Sequence, residues 1–181
     1  MQYTKFDVAE RQLLQAIKLF FNNEDPISIH TLSESAGQVL NDIGKEYDAI
    51  SFIRTNDLIK PEKRTEWLNH IFKSRNFFKH ANKDKNEVHE FKSEFNDFSL
   101  LDSVNMYCSI KKKWVPETIM FQMWFSANYP SVLIKESEFN QVILNGVKSG
   151  YPMDKETMFK IIQMFRNKEI ENTNVTLEYG L

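Results

Sequence analysis

The chain has 181 residues, 41% of them hydrophobic and 27% charged, and a formal net charge of −2. That mix excludes a disordered polyelectrolyte and supplies enough apolar material for a core in one compact domain. No run of about 18 apolar residues occurs, and the opening MQYTKFDVAERQ has no apolar stretch behind a basic start, so neither a membrane span nor an export signal is expected.

Only five glycines and five prolines punctuate the chain, and the apolar residues between them recur at helical spacing. A first helix carries the stripe Phe6, Ala9, Leu13, Ile17 and Phe20 behind a capping-box-like Thr4-x-x-Asp7. Asp25-Pro26 then reads as an N-cap followed by a proline at the first helical position, opening a second helix with Ile29, Leu32, Ala36, Val39, Leu40 and Ile43 that stops at Gly44. A third helix is predicted from Pro61 to His80. Residues 82 to 98 alternate weakly and are expected to form a loop. A fourth helix carries Leu100, Leu101, Val104, Tyr107 and Cys108, and a fifth follows Pro116 with Ile119, Met120, Met123 and Trp124. After a weaker segment between Tyr129 and Pro152, a last helix begins at Asp154 with Met158, Ile161, Ile162 and Phe165, and a tail is expected from Lys168. The expectation is an all-α helical bundle over residues 1–128, with residues 129–181 as a C-terminal helical extension packed on it. Cys108, the single cysteine, excludes an internal disulfide and a cysteine-based zinc site; it is expected to be a buried, inert thiol of a cytoplasmic protein.

The third helix holds the sharpest signal, in the stretch Ser74-Arg75-Asn76-Phe77-Phe78-Lys79-His80. On an ideal wheel of about 100° per residue, Arg75 falls in the middle of the stripe formed by Trp67, Leu68, Ile71, Phe72 and Phe78. A cation there needs a partner or an opening, since isolated charges are almost never left inside a protein. Asn76 and His80 share another face at i, i+4, where the amide can hold the imidazole in one orientation. On the same wheel His80 points about 140° away from Arg75, so joint action by the two requires an ending helix or a second subunit.

A cation, an orienting amide and a titratable ring are the parts of metal-free RNA cleavage. Attack of a ribose 2′-hydroxyl on the adjacent phosphate needs a base, an acid for the leaving 5′-oxygen, and a cation for the phosphoryl oxygens. Histidine serves as base or acid near neutral pH, and arginine meets two phosphoryl oxygens with its planar fork. One His80 cannot be both at once, but a two-fold dimer would bring two copies of the turn together.

Arg75-Asn76-Phe77-Phe78-Lys79-His80 resembles the R-x4-6-H motif, with a polar residue directly after the arginine, of the HEPN superfamily of small all-helical bundles. The resemblance extends over roughly residues 26 to 128 and includes the opening helix SIHTLSESAGQVLNDI, which makes the first helix and the last 50 or so residues additions. It implies a metal-independent endoribonuclease whose site forms at a homodimer interface, with Arg75 and His80 catalytic and Asn76 the accompanying polar residue. It further implies RNA as substrate, no cofactor, and a toxin or antiviral role with a cognate antitoxin or other protein partner.

Charge placement points the same way. Residues 60 to 85 hold eight Lys or Arg against three Asp or Glu, while the remainder of the chain is acidic. Lys79, Lys83 and Lys85 are therefore expected phosphate contacts. The run Lys111-Lys112-Lys113 closes a helix, where cations suit the macrodipole. His30 reads as a hydrogen-bonded boundary residue, and His70 and His89 as surface or loop residues. No HExxH, glycine-rich phosphate loop or G-x-S-x-G is present, which argues against common metalloproteases, nucleotide-triphosphate hydrolases and α/β-hydrolases. Two other readings stay open: a non-catalytic HEPN-like module that binds a nucleotide, nucleic acid or protein, and a purely structural protein in which Arg75 pairs with a carboxylate such as Asp42 or Asp102 while His80 caps its helix.

Overall fold

The computed structural model describes residues 1–54, 60–82, 84–132 and 138–169, with His70, Glu138 and Phe139 described in backbone only. Among these residues there is no strand. Seven helices, α1 (Lys5–Phe21), α2 (Pro26–Gly44), α3 (Arg64–Lys79), α4 (Phe95–Lys111), α5 (Pro116–Asn128), α6 (Glu138–Lys148) and α7 (Lys155–Arg166), make an all-α bundle.

Local chemistry sets most helix ends. Thr4 accepts from the Asp7 amide while Asp7 takes the Thr4 amide, a completed capping box. Asp25 and Asp154 cap α2 and α7 through the amides of Ser28 and Thr157. At the far end of α2 a Cβ on Gly44 would meet the Ala49 carbonyl oxygen at 2.8 Å, so only glycine lets the chain fold back there. The turn Lys45–Tyr47 follows, ending on Asp48 in the left-handed region at φ 54°.

α1 and α4 both lie along α2, α5 packs against α6 and α7, and α7 also meets α1. The core is Leu13, Ile17, Phe20 and Phe21 of α1, Ile29, Ala36 and Leu40 of α2, Leu100, Val104 and Tyr107 of α4, and Phe121, Trp124 and Phe125 of α5. Each of the larger side chains contributes about 1.5–3 kcal/mol by leaving water. Met158 and Ile162 of α7 enter this same core, and Arg166 at the end of α7 clasps the fully buried Glu117 of α5 with bonds of 2.7–2.9 Å. Cys108 is buried as expected, and burial pushes its thiol pKa up to about 12.

Several expectations change in detail. The third helix opens with a tight turn at Pro61–Lys63 and becomes α-helical only at Arg64. The expected loop ends early, because α4 starts at Phe95. The weak segment before Pro152 contains a full helix, α6. Of the expected tail, residues 170–181 lie outside the described residues.

α3 behaves differently from its neighbours. Its large apolar side chains Trp67, Leu68, Ile71, Phe72, Phe77 and Phe78 are all half-buried, and none belongs to the main core. The apolar sides of α2 are already spent on α1 and α4. What α2 offers to α3 is a polar row spaced four apart: His30, whose ring meets Phe78, and Gln38, which bonds Arg75, with Glu34 between them bonded to Arg54 and Ser99.

Candidate active site

That polar row answers why a cation stands in the apolar stripe of α3. Arg75 faces α2 where α2 presents Gln38, and its Nη1 donates to Gln38 Oε1 at 3.0 Å. Gln38 in turn donates from Nε2 to Asp42 Oδ1 at 3.0 Å. The guanidinium also lies 4.0 Å above the Phe72 ring, a favourable cation–π placement. Neither direct ion pair of the purely structural reading forms. Asp42 is reached only through Gln38, and Asp102 is taken by Arg54, a residue that pattern reading passed over.

Arg54 sits at the centre of a buried polar seam between α2 and α4. Its Nη2 donates to Glu34 Oε2 at 2.9 Å and its Nη1 to Asp102, with the arginine and Asp102 side chains 4% and 0% exposed. Ser51 Oγ and the Phe52 amide also donate to Asp102, each at 2.8 Å, and Ser99 donates to Glu34. Burial pushes the Asp102 carboxyl up, and Arg54 and these donors pull it back. Small residues leave room for the guanidinium: a Cβ on Gly37 would meet Arg54 Nη2 and Ser103 Oγ at 2.7 Å each. The spacing Ser33-x3-Gly37 facing Ser99-x3-Ser103 was the available sign that a side chain enters there.

The last turn of α3 splits its polar residues between two sides. Arg75 and Lys79, four apart, lie on the side turned towards Glu34, and Arg54 also acts on Arg75. Burial lowers both pKa values, Glu34 raises both, and Arg75 depresses Lys79 further. Asn76 and His80, also four apart, are exposed on the neighbouring side and line one open cleft of about 450 Å³ with Asn82 and Asp84. His80 is the C-cap of α3. Its backbone has left the helix for an extended conformation, φ −136° and ψ 125°, while its amide still donates to Asn76 O at 3.1 Å. The helix therefore ends where joint action of Arg75 and His80 needs it to, but within one chain the guanidinium is turned to α2 and the imidazole outward. Lys85 is exposed in the following turn, and Lys83 lies outside the described residues.

His30 was expected at a boundary and is instead 2% exposed. Its Nδ1 is 3.0 Å from Asn96 Oδ1, the rings of Phe78 and Phe91 pack on it at 5.6 and 4.9 Å, and its Nε2 has no hydrogen-bond partner among the described residues. Burial lowers its pKa; Glu34 opposes that shift, and Arg54 and Arg75 add to it. His89 is also more than a loop residue, since its Nε2 lies 2.8 Å from Ser74 Oγ and its ring packs on Phe77 at 5.0 Å.

Chemically, the end of α3 offers a half-buried guanidinium that among the described residues donates to a neutral amide, a flanking lysine, and an accessible imidazole beside an amide. Among the described residues no group of three or more His, Cys, Asp or Glu is placed to hold a metal ion, and no helix is long and apolar enough to cross a membrane. Compared with protein-family models, with curated proteins and with solved structures, the chain has no significant match.

Proposed function

We propose that the protein is a HEPN-like, metal-independent endoribonuclease that works as a homodimer. The observation that carries this reading is the composition of one helical turn: the exposed His80 opens on a cleft with Asn76, and Arg75 lies one residue away, bonded to no carboxylate among the described residues. In this reading His80 moves protons to and from the reacting ribose and phosphate oxygens, Asn76 orients it, and Arg75 stabilises charge on the phosphoryl oxygens. Lys79, Lys83 and Lys85 hold flanking phosphates.

The division of Arg75 and His80 between two sides of α3 supports a role for a second copy, because one protomer does not turn both groups to one cleft. The half-buried apolar side chains of α3 support the same role, since a partner copy would remove them from water.

The test is cleavage of total cellular RNA in EDTA by wild type, Arg75→Ala and His80→Ala, with end-group analysis. Fragments ending in 2′,3′-cyclic phosphate, with activity lower by about 10²–10⁴-fold in both folded variants, are expected. Intact RNA in the presence of folded, dimeric protein would sink the reading. The second reading, a non-catalytic module binding a nucleotide, nucleic acid or protein, is favoured by the chain Arg75–Gln38–Asp42, which ties the arginine to its own protomer. It gains if RNA is bound and left uncut.

A further inference from the structure

Beside the cleft that holds His80, a second concavity of about 220 Å³ is cut into the same face of α3. Its walls come from Asn69, Lys73, Asn76 and Phe77 on the helix and, on the segment that follows, from two carboxylates, Asp84 and Glu87, with Val88 and His89. The two hollows share Asn76 and Asp84, so whatever fills one abuts the occupant of the other.

The lining has the chemistry of base recognition. Phe77 and His89 form an aromatic wall, with ring planes 34° apart, and Ser74 holds the His89 ring in place at 2.8 Å. Unpaired bases stack on such rings, and every base has a face to offer. The polar lining selects among them. An asparagine amide presents a donor and an acceptor side by side, the complement of the N6 amine and N7 of adenine. A carboxylate accepts from an exocyclic amine and repels the keto oxygens of uracil. Lys73 supplies a cation at the rim, suited to a phosphate linking this base to the next nucleotide.

We infer that this hollow is a nucleobase subsite for adenine, reading the nucleotide next to the phosphate held in the His80 cleft. The inference rests on the ribonuclease reading for the identity of its neighbour and names the single-stranded substrate class: RNA with an unpaired adenine beside the cut. Asn69 and Asp84 are its specificity-determining residues, and Lys73 contributes affinity without choice of base.

The test separates binding from cleavage. Fluorescein-labelled 2′-O-methyl hexanucleotides of adenine and of uracil, which lack the attacking hydroxyl, are titrated with the full chain and followed by anisotropy. The adenine hexamer is expected to bind about tenfold more tightly than the uracil hexamer. In Asn69→Ala and in Asp84→Ala that ratio falls towards one, whereas in Lys73→Ala both hexamers weaken together and the ratio stays. Equal binding of the two hexamers by wild type, no binding of either, or a ratio that survives both Asn69→Ala and Asp84→Ala overturns the subsite. The matching ribose hexamers, incubated in EDTA, report on the nuclease separately. Adenine preference without cleavage removes the nuclease and leaves the subsite, and cleavage without base preference does the reverse.

Discussion

Two arginines stand less than a helix width from the same Phe72 ring, Arg75 at 4.0 Å and Arg54 at 5.7 Å from its centroid, and they have opposite surroundings. Arg54 is held by two carboxylates inside the seam between α2 and α4, and Arg75 by one neutral amide at the edge. A guanidinium with its charge matched by buried carboxylates is committed to the fold. One that among the described residues bonds to an amide and to no carboxylate keeps its capacity for an incoming anion. Location along the chain would not distinguish them; the partners do.

Breaking the seam is expected to cost most. Arg54→Ala leaves Glu34 and Asp102 buried without their cation, and a loss of about 3–5 kcal/mol is expected in urea unfolding. The combined variant Arg54→Met, Glu34→Gln, Asp102→Asn should recover much of that loss, because no buried charge then remains unpaired. Gly37→Ala comes next: the added methyl meets Arg54 Nη2 and Ser103 Oγ at 2.7 Å, and about 1–3 kcal/mol should be lost to overpacking. Equal stability of Gly37→Ala and wild type would show that the seam opens without cost.

A smaller effect separates the seam from the cleft by pH. The pKa of His30 is lowered by burial, so below about 6.5 the unfolded chain binds a proton that the native one refuses. Stability is therefore fully present above that pH and declines as pH falls towards the native pKa. Asp97 and Asp102, with carboxyls pushed up by burial, act in the opposite sense at lower pH. The readout is consequently the difference between wild type and His30→Leu, which should shrink from pH 7.5 to pH 5.5. A constant difference would mean that the ring accepts a proton in place.

The smallest expected change in stability is at the candidate site itself. Arg75→Ala removes one hydrogen bond from the guanidinium to a neutral amide and a cation–π contact at a half-buried position, so the stability read from thermal melting should fall by no more than about 2 kcal/mol. A larger loss would place Arg75 with Arg54 as a structural residue and weaken the catalytic reading.

The helices of the core were legible because each carries its own instructions. Thr4 with Asp7, Asp25 with Pro26, and Asp154 cap chains whose apolar residues recur every three or four positions, and those rules act within a few residues. α3 was legible as a helix and misleading as a buried one. Its stripe is real, but whether a stripe is buried depends on what the neighbouring helix presents, and α2 presents His30, Glu34 and Gln38. Arg54 was not legible, because nothing within a few residues of it announces a partner; its carboxylates come from residues 34 and 102.

By itself the sequence determined the all-helical class, most helix starts and the presence of arginine, asparagine and histidine in one turn, since caps, periodicity and spacing are properties of neighbours along the chain. The tertiary structure alone decided which arginine became buried, that Arg75 bonds to Gln38, and that Asn76 and His80 open on a shared cleft away from it. Those outcomes depend on which faces are left once α1, α2 and α4 have buried theirs, and that allocation is made in three dimensions.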